Sequence, residues 1–424
     1  MSDRERNARA QGTHERGAHE VDTPKSSTPS SERVPAEESG WPEDGSKAAW
    51  ETRVMHVPGM VDEVTGAAST PIYQASTFHQ RDVEQPPPYD YARSGNPTRE
   101  ALERAIAEME GGEAGFAFAS GMAAISSVFA IFSNGDHLIV PEDVYGGTYR
   151  ALTQIFPRFG LKISFVDTTD LDQVAAAIRP ETRAIYVETP SNPTLRITDL
   201  SGIVRLARKH GLVTIIDNTF MTPYFQRPLE LGFDVVVHSA TKFLGGHSDV
   251  LAGLVAVRGK ELAEKIYQVQ NGFGAVLGAH DAWLVLRGMK TLAVRMRQAQ
   301  ENAMQLAQWL AAHPSVQHVY YPGLVGHPGK SIHERQSTGY GAVLSFDVGS
   351  REKALAVMRR VRIPLVAVSL GAVESILSYP AAMSHAAMPR DVRLARGIGD
   401  GLLRYSVGLE QVDDLIADLA QALV

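Results

Sequence analysis

No cysteine occurs among the 424 residues. That excludes disulfides, thiolate nucleophiles and cysteine-ligated metals together. Long apolar runs are missing too: stretches such as 251–257 are far shorter than the roughly 20 apolar residues that cross a bilayer. Nor is there an excess of positive charge. The formal net charge is −7, a mildly acidic balance that gives nucleic acid or an anionic membrane no footprint. The opening stretch MSDRERNARAQGTHERG has no apolar core of a secretory signal, and its acidic residues argue against a transit peptide. A cytoplasmic enzyme is the expectation.

What is present is globular. Hydrophobic residues make up 44% and charged residues 21%, enough to bury a large core, and the length suggests about two to three domains. Residues 1–48 are rich in Ser, Pro, Glu, Arg and Gly and show no apolar period. Such a segment cannot offset its ordering entropy by burial, so a disordered tail is expected there. No repeat of fixed period is visible.

From about residue 98, short apolar runs alternate with amphipathic stretches. Strands are expected at 115–119, 137–140, 163–166, 184–188, 213–217, 235–238 and 254–257, with helices at 99–110, 121–132, 149–159 and 199–210 between them. Strands that are apolar throughout and spaced by helices indicate a mostly parallel sheet covered on both faces. Beyond about residue 286 the pattern changes. One long helix is expected over 286–312, then strands at 316–320, 342–346 and 403–407 and helices at 352–361 and 412–423. The expected fold class is therefore α/β, with a smaller α+β domain appended at the C-terminal end.

Ligands of open α/β sheets bind beyond the carboxyl ends of the strands, so residues just after each strand deserve inspection. Lys242 follows the apolar run 235–237 in a turn with Ser239 and Thr241. Burial there would disfavour the ammonium and expose a nucleophilic amine, while the hydroxyls and backbone amides suit a phosphate. The bland alternative is a surface lysine in a Gly-rich turn. Asp217 ends the apolar run VTIID; it could pair with a buried cation such as a pyridinium, or simply cap a turn. Gly121 and Met122 open a helix after the strand 115–119, where a glycine lets an anion approach the amides. Tyr145, after 137–140, offers a ring that could stack on a planar cofactor or pack in the core. Arg93, beside Tyr91 in a turn-rich connection, is a candidate phosphate fork. Arg404, inside the run LLRYSV, needs an anion such as a substrate carboxylate if it points inward. Jointly these residues supply a Schiff-base amine, a pyridinium partner, a phosphate cradle, a stacking ring and a carboxylate clamp.

In these segments the sequence resembles the Cys/Met-metabolism family of pyridoxal-phosphate (PLP) enzymes, which has the aspartate-aminotransferase-like fold type I. The likeness runs from about residue 52 to the C-terminus through YARSGNPT, FASGMAA, DVYGGT, ETPSNPT, DNTF, HSATKFLGGHSD, SLGAVESI and LLRYSVGLE. The stretch ILSYPAAMSHAAMP, with FGAVLG at 273–278, looks most like bacterial cystathionine β-lyases. The resemblance implies Lys242 as the PLP-bearing amine, Asp217 as partner of the pyridine nitrogen and Tyr145 as the stacking ring and candidate proton donor. It implies that Gly121, Met122, Ser239 and Thr241 hold the phosphate, aided by Tyr91 and Arg93 from a neighbouring subunit, and that Asn192, Ser369 and Arg404 bind the substrate carboxylate. It further implies a segment 49–95 that contacts that neighbour, a PLP-binding large domain 96–285, a small domain 286–424, and a homotetramer of dimers with shared sites. The implied activity is carbon–sulfur lysis of cystathionine or a related thioether in trans-sulfuration, by β-elimination; γ-replacement or γ-elimination is the alternative. Gly147 stands where methionine γ-lyases carry cysteine, and Val368 where cystathionine γ-lyases often carry glutamate, which favours the β-lyase.

Overall fold

The computed structural model describes residues 48–424 apart from Pro58, Glu63 and Ala387. The tail expected over 1–48 thus lies outside the described residues but for its last position.

Helix Pro97–Glu110 begins where the Asn96 side chain caps the amides of Thr98 and Arg99, with Pro97 in the first turn, and it stops at Gly111, left-handed at φ 70°. It leads into a seven-stranded sheet built from β1 (Ala114–Phe118), β2 (His137–Pro141), β3 (Lys162–Val166), β4 (Thr182–Glu188), β5 (Val213–Asp217), β6 (Val235–Ser239) and β7 (Gly253–Val257), in the order β1-β7-β6-β5-β4-β2-β3. Strands β6, β5, β4, β2 and β3 run parallel, whereas β7 is antiparallel to both of its neighbours. The sheet is sandwiched because its strands are apolar on both sides. Ile216, Val236 and Leu254 pack with Leu102, Ile106 and Met109 of helix Pro97–Glu110, while Ile215, Val235 and Val255 pack with Ile125, Val128 and Phe129 of helix Gly121–Phe129.

A second sheet, ordered β10-β11-β12-β9-β8, comprises β8 (His318–Tyr320), β9 (Val343–Asp347), β10 (Leu365–Val366), β11 (Ile376–Ser378) and β12 (Leu402–Ser406). Leu344, Phe346, Leu403 and Tyr405 bury one face of it together with Leu306 and Leu310 of helix Leu292–Ala312, and Leu415 and Leu419 of helix Val412–Ala422.

Two local expectations are corrected. The single helix expected over 286–312 is a pair, Ala279–Met289 and Leu292–Ala312. At the break the Gly288 carbonyl accepts from the Thr291 amide (3.2 Å) in a tightened turn, and Thr291 Oγ1 (3.1 Å) and Arg295 Nη2 (2.8 Å) donate to the same oxygen. The helix expected over 149–159 is helical but irregular, an α-helix Gly146–Arg150 continuing as a π turn Ala151–Ile155 and a 3₁₀ turn Phe156–Phe159.

Candidate active site

The carboxyl ends of β2, β4, β5 and β6 open onto one cavity of about 430 Å³, which β12 and the segment before β11 close from the other side. Ten of the twelve residues singled out in the sequence line it: Gly121, Met122, Tyr145, Asn192, Asp217, Ser239, Thr241, Lys242, Ser369 and Arg404. The other two do not. Tyr91 and Arg93 stack on one another at 5.5 Å in a separate concavity with Gly274, and Arg93 Nε donates to Asn271 Oδ1 at 3.2 Å.

Lys242 leaves β6 in a turn closed by its amide donating to the Ser239 carbonyl (3.1 Å), and its Nζ donates to Ser369 Oγ at 2.6 Å. Burial, and then the nearby Arg404 guanidinium, push this ammonium down from 10.5 to about 8. Ser369 holds φ at 95°, a region that costs a non-glycine residue strain. That backbone turns its hydroxyl to Lys242 and its carbonyl to Arg404 Nη2 (2.6 Å). Arg404 Nη1 donates to Asn192 Oδ1 at 2.9 Å. Its Nε is buried with no partner, a donor left over for an anion, and burial lowers its guanidinium to about 10, so it is charged at neutral pH.

On the opposite side, Asp217 Oδ1 accepts the Thr219 amide at 3.0 Å. Burial pushes the Asp217 carboxyl upward, so its ionised form calls for a cationic partner. Glu188, at the end of β4, sits beside it and accepts the Tyr145 amide at 3.0 Å through Oε2. Tyr145 itself is 39% exposed and so offers its ring to the cavity. At Gly121 a Cβ would come within 2.9 Å of Ser239 Oγ. The glycine is therefore required where the helix start, capped by Ser120 Oγ on the Ala123 amide (3.0 Å), faces Ser239 and Thr241.

These residues fit PLP. An amine made nucleophilic by burial, a half-buried carboxyl for the ring nitrogen, an open aromatic face and a small-residue helix start for a phosphate border one cavity. Glu188 is the residue that sequence reasoning passed over. It lies in the quoted motif ETPSNPT, and its position at a strand end was the available signal.

Comparisons with known proteins agree. The chain belongs to the Cys/Met metabolism PLP-dependent enzymes, whose family model matches residues 51–424. Its fold is that of PLP-dependent fold type I, and its cofactor is pyridoxal 5'-phosphate. It is 59% identical over 380 residues to cystathionine beta-lyase MetC of Bacillus subtilis, which covers 89% of this chain and 97% of that protein. It is 52% identical over 372 residues to cystathionine gamma-lyase of the same organism, covering 88% and 98%. Among solved structures, cystathionine gamma-lyase of Lactobacillus plantarum complexed with L-serine matches with a TM-score of 0.86 and 49% identity, over 88% of this chain and 98% of that one.

Proposed function

We propose that this enzyme is a cystathionine β-lyase: cystathionine and water give homocysteine, pyruvate and ammonia. The observation that carries the reading is the Lys242–Ser369–Arg404 chain of contacts, which joins a nucleophilic amine to an anion clamp within one cavity. Similarity to the Bacillus subtilis β-lyase supports the choice of reaction.

In this reading Arg404 and Asn192 bind the substrate carboxylate and set the Cα–H bond towards Lys242. Bound PLP supplies the sink for the electron pair left at Cα. Gly121, Met122, Ser239 and Thr241 hold its phosphate, and Asp217 is the counter-charge of its ring nitrogen. Lys242 Nζ takes the Cα proton, and Lys242 or the Tyr145 hydroxyl gives a proton to the departing sulfur. Tyr91 and Arg93 serve the phosphate of a neighbouring subunit in a homotetramer, whose contact segment is 49–95. The domain reading, with the smaller domain beginning near residue 286, and a cytoplasmic setting belong to the same proposal. Among the described residues no helix is long and apolar enough to cross a membrane.

The absence of a side chain at Gly147 fits this choice within the family. A Cβ there would meet Tyr145 Cε1 at 2.5 Å and Met122 Sδ at 2.8 Å, so a side chain at 147 requires the Tyr145 ring and Met122 to shift. Similarity to two γ-lyases sustains γ-elimination as the second reading. A product assay on cystathionine separates them. Pyruvate with homocysteine is expected; 2-oxobutyrate with cysteine would establish the γ-reaction instead.

A further inference from the structure

Two carboxyls border the cavity side by side, and the mechanism above uses only one. Glu188 is the lateral neighbour of Asp217 in the β4–β5 register. It is 7% exposed. Its oxygens take the Tyr145 amide at 3.3 and 3.0 Å, and Oε1 also takes the Tyr186 hydroxyl at 3.2 Å. Every donor to it is neutral, and the charged groups that bear on it most are the carboxyls of Asp217 and Asp143.

The remaining titratable groups around it are held by other partners or, like the exposed Arg150 that also lines the cavity, open to solvent and screened. From its own strand comes Tyr186, whose hydroxyl is held in the phenol form by burial. From the loop after β2 come Asp143, acted on by Arg196, and Tyr145. On β6, His238 Nε2 bonds Glu110 at 2.6 Å, both fully buried, and it bears on Asp217 less than burial and the Thr219 hydrogen bonds do. Lys242 bonds Ser369, and Arg404 bonds Asn192 and Ser369. One pyridinium therefore meets two carboxyls. If both were ionised, one buried negative charge would be left uncompensated, which is costly in a medium of low dielectric.

Resting on the PLP reading above, we propose that Glu188 is a positioning residue for the cofactor ring: it anchors Tyr145 through the backbone amide, and together with Asp217 it holds a single negative charge on two carboxyls. The β4–β5 register places the two carboxyls side by side, and burial pushes both upward, Glu188 further because of Asp217. Tyr145 is thereby fixed from its main chain while its hydroxyl stays free, and the ring nitrogen faces one counter-charge rather than two.

The test uses the holoenzyme, with PLP affinity and the pH titration of bound-cofactor absorbance, without substrate, as readouts. Glu188→Gln imitates the protonated acid and keeps an oxygen acceptor for the Tyr145 amide. It should bind PLP within about threefold of wild type and move the titration midpoint by no more than about 0.3 pH unit. Glu188→Ala removes the anchor and should loosen PLP about tenfold. In a Tyr145→Ala background the same change should add little, since it acts through Tyr145. A downward shift of about one pH unit or more in Glu188→Gln would mean that a full charge was lost, overturning the shared proton. Full additivity in the double variant would overturn the anchor. Should Glu188→Ala fail to fold, Glu188→Gln decides alone. Wild-type protein that binds no PLP would overturn the functional reading and this inference together, whereas a PLP-binding wild type with a shifted Glu188→Gln overturns this inference only.

Discussion

Lys242 Nζ and Ser369 Oγ meet at 2.6 Å although 127 residues separate them in the chain. The contact joins the turn after β6 of one sheet to the strained residue that also presents its carbonyl to Arg404 of the other. The amine and the anion clamp are thus set against each other by tertiary structure, so that damage to either should be felt at the other.

Replacing Arg404 with alanine removes the clamp and leaves Asn192 Oδ1 and the Ser369 carbonyl without their donors. KM for cystathionine should rise about a hundredfold, equivalent to about 2.7 kcal/mol. Arg404→Lys should recover little of it, because a point charge cannot serve both acceptors and a carboxylate as a planar fork does. Steady-state kinetics of the two variants check this, and a restored KM in Arg404→Lys would argue against a bidentate clamp.

Cofactor loading should report the lowered Lys242 ammonium. Only the neutral amine attacks an aldehyde, and the neutral fraction grows as pH rises through about 8 rather than through the ordinary 10.5. The rate of PLP uptake by apo-protein should therefore climb between about pH 7 and 9 and then level off. Removing the Arg404 charge should move the midpoint upward, by less than burial contributes, because burial is the larger cause. A rate still climbing at pH 10 would show an unperturbed lysine.

Tyr91 and Arg93 stand outside the cavity of their own chain. If they serve a neighbour's phosphate, Arg93→Ala should weaken PLP binding by about 1.5–3 kcal/mol while leaving Lys242 intact. Mixing Arg93→Ala with Lys242→Ala chains should then restore part of the activity, since some sites receive both intact residues. No recovery in proven hybrids would assign Arg93 to its own subunit.

Much of this site was legible because it sits on strand ends. The apolar run 213–217 is β5 to the residue, and it placed Asp217; the run at 235–238 placed Lys242 one turn beyond β6. What was not legible depends on pairing between distant segments. Glu188 is one more carboxylate at a strand end until the β4–β5 register sets it against Asp217. The positive φ of Ser369 is not a residue preference, and the contacts it accompanies, with Lys242 and Arg404, come from distant segments. Strands β10 and β11, with two and three residues, are too short to show a period at all. At the helix break at 290–291 the Gly288 carbonyl collects the Thr291 amide and hydroxyl and the Arg295 guanidinium, an arrangement that propensity does not record.

The central claim is that Lys242 carries PLP in this cavity, and borohydride reduction followed by peptide mass analysis tests it most directly. The account predicts a reduced pyridoxyl phosphate adduct on the peptide containing Lys242, with loss of the yellow absorbance. It predicts no adduct and no turnover in a Lys242→Ala variant that melts as wild type does. An adduct on another lysine, or near-wild-type turnover by Lys242→Ala, would contradict the assignment of the site.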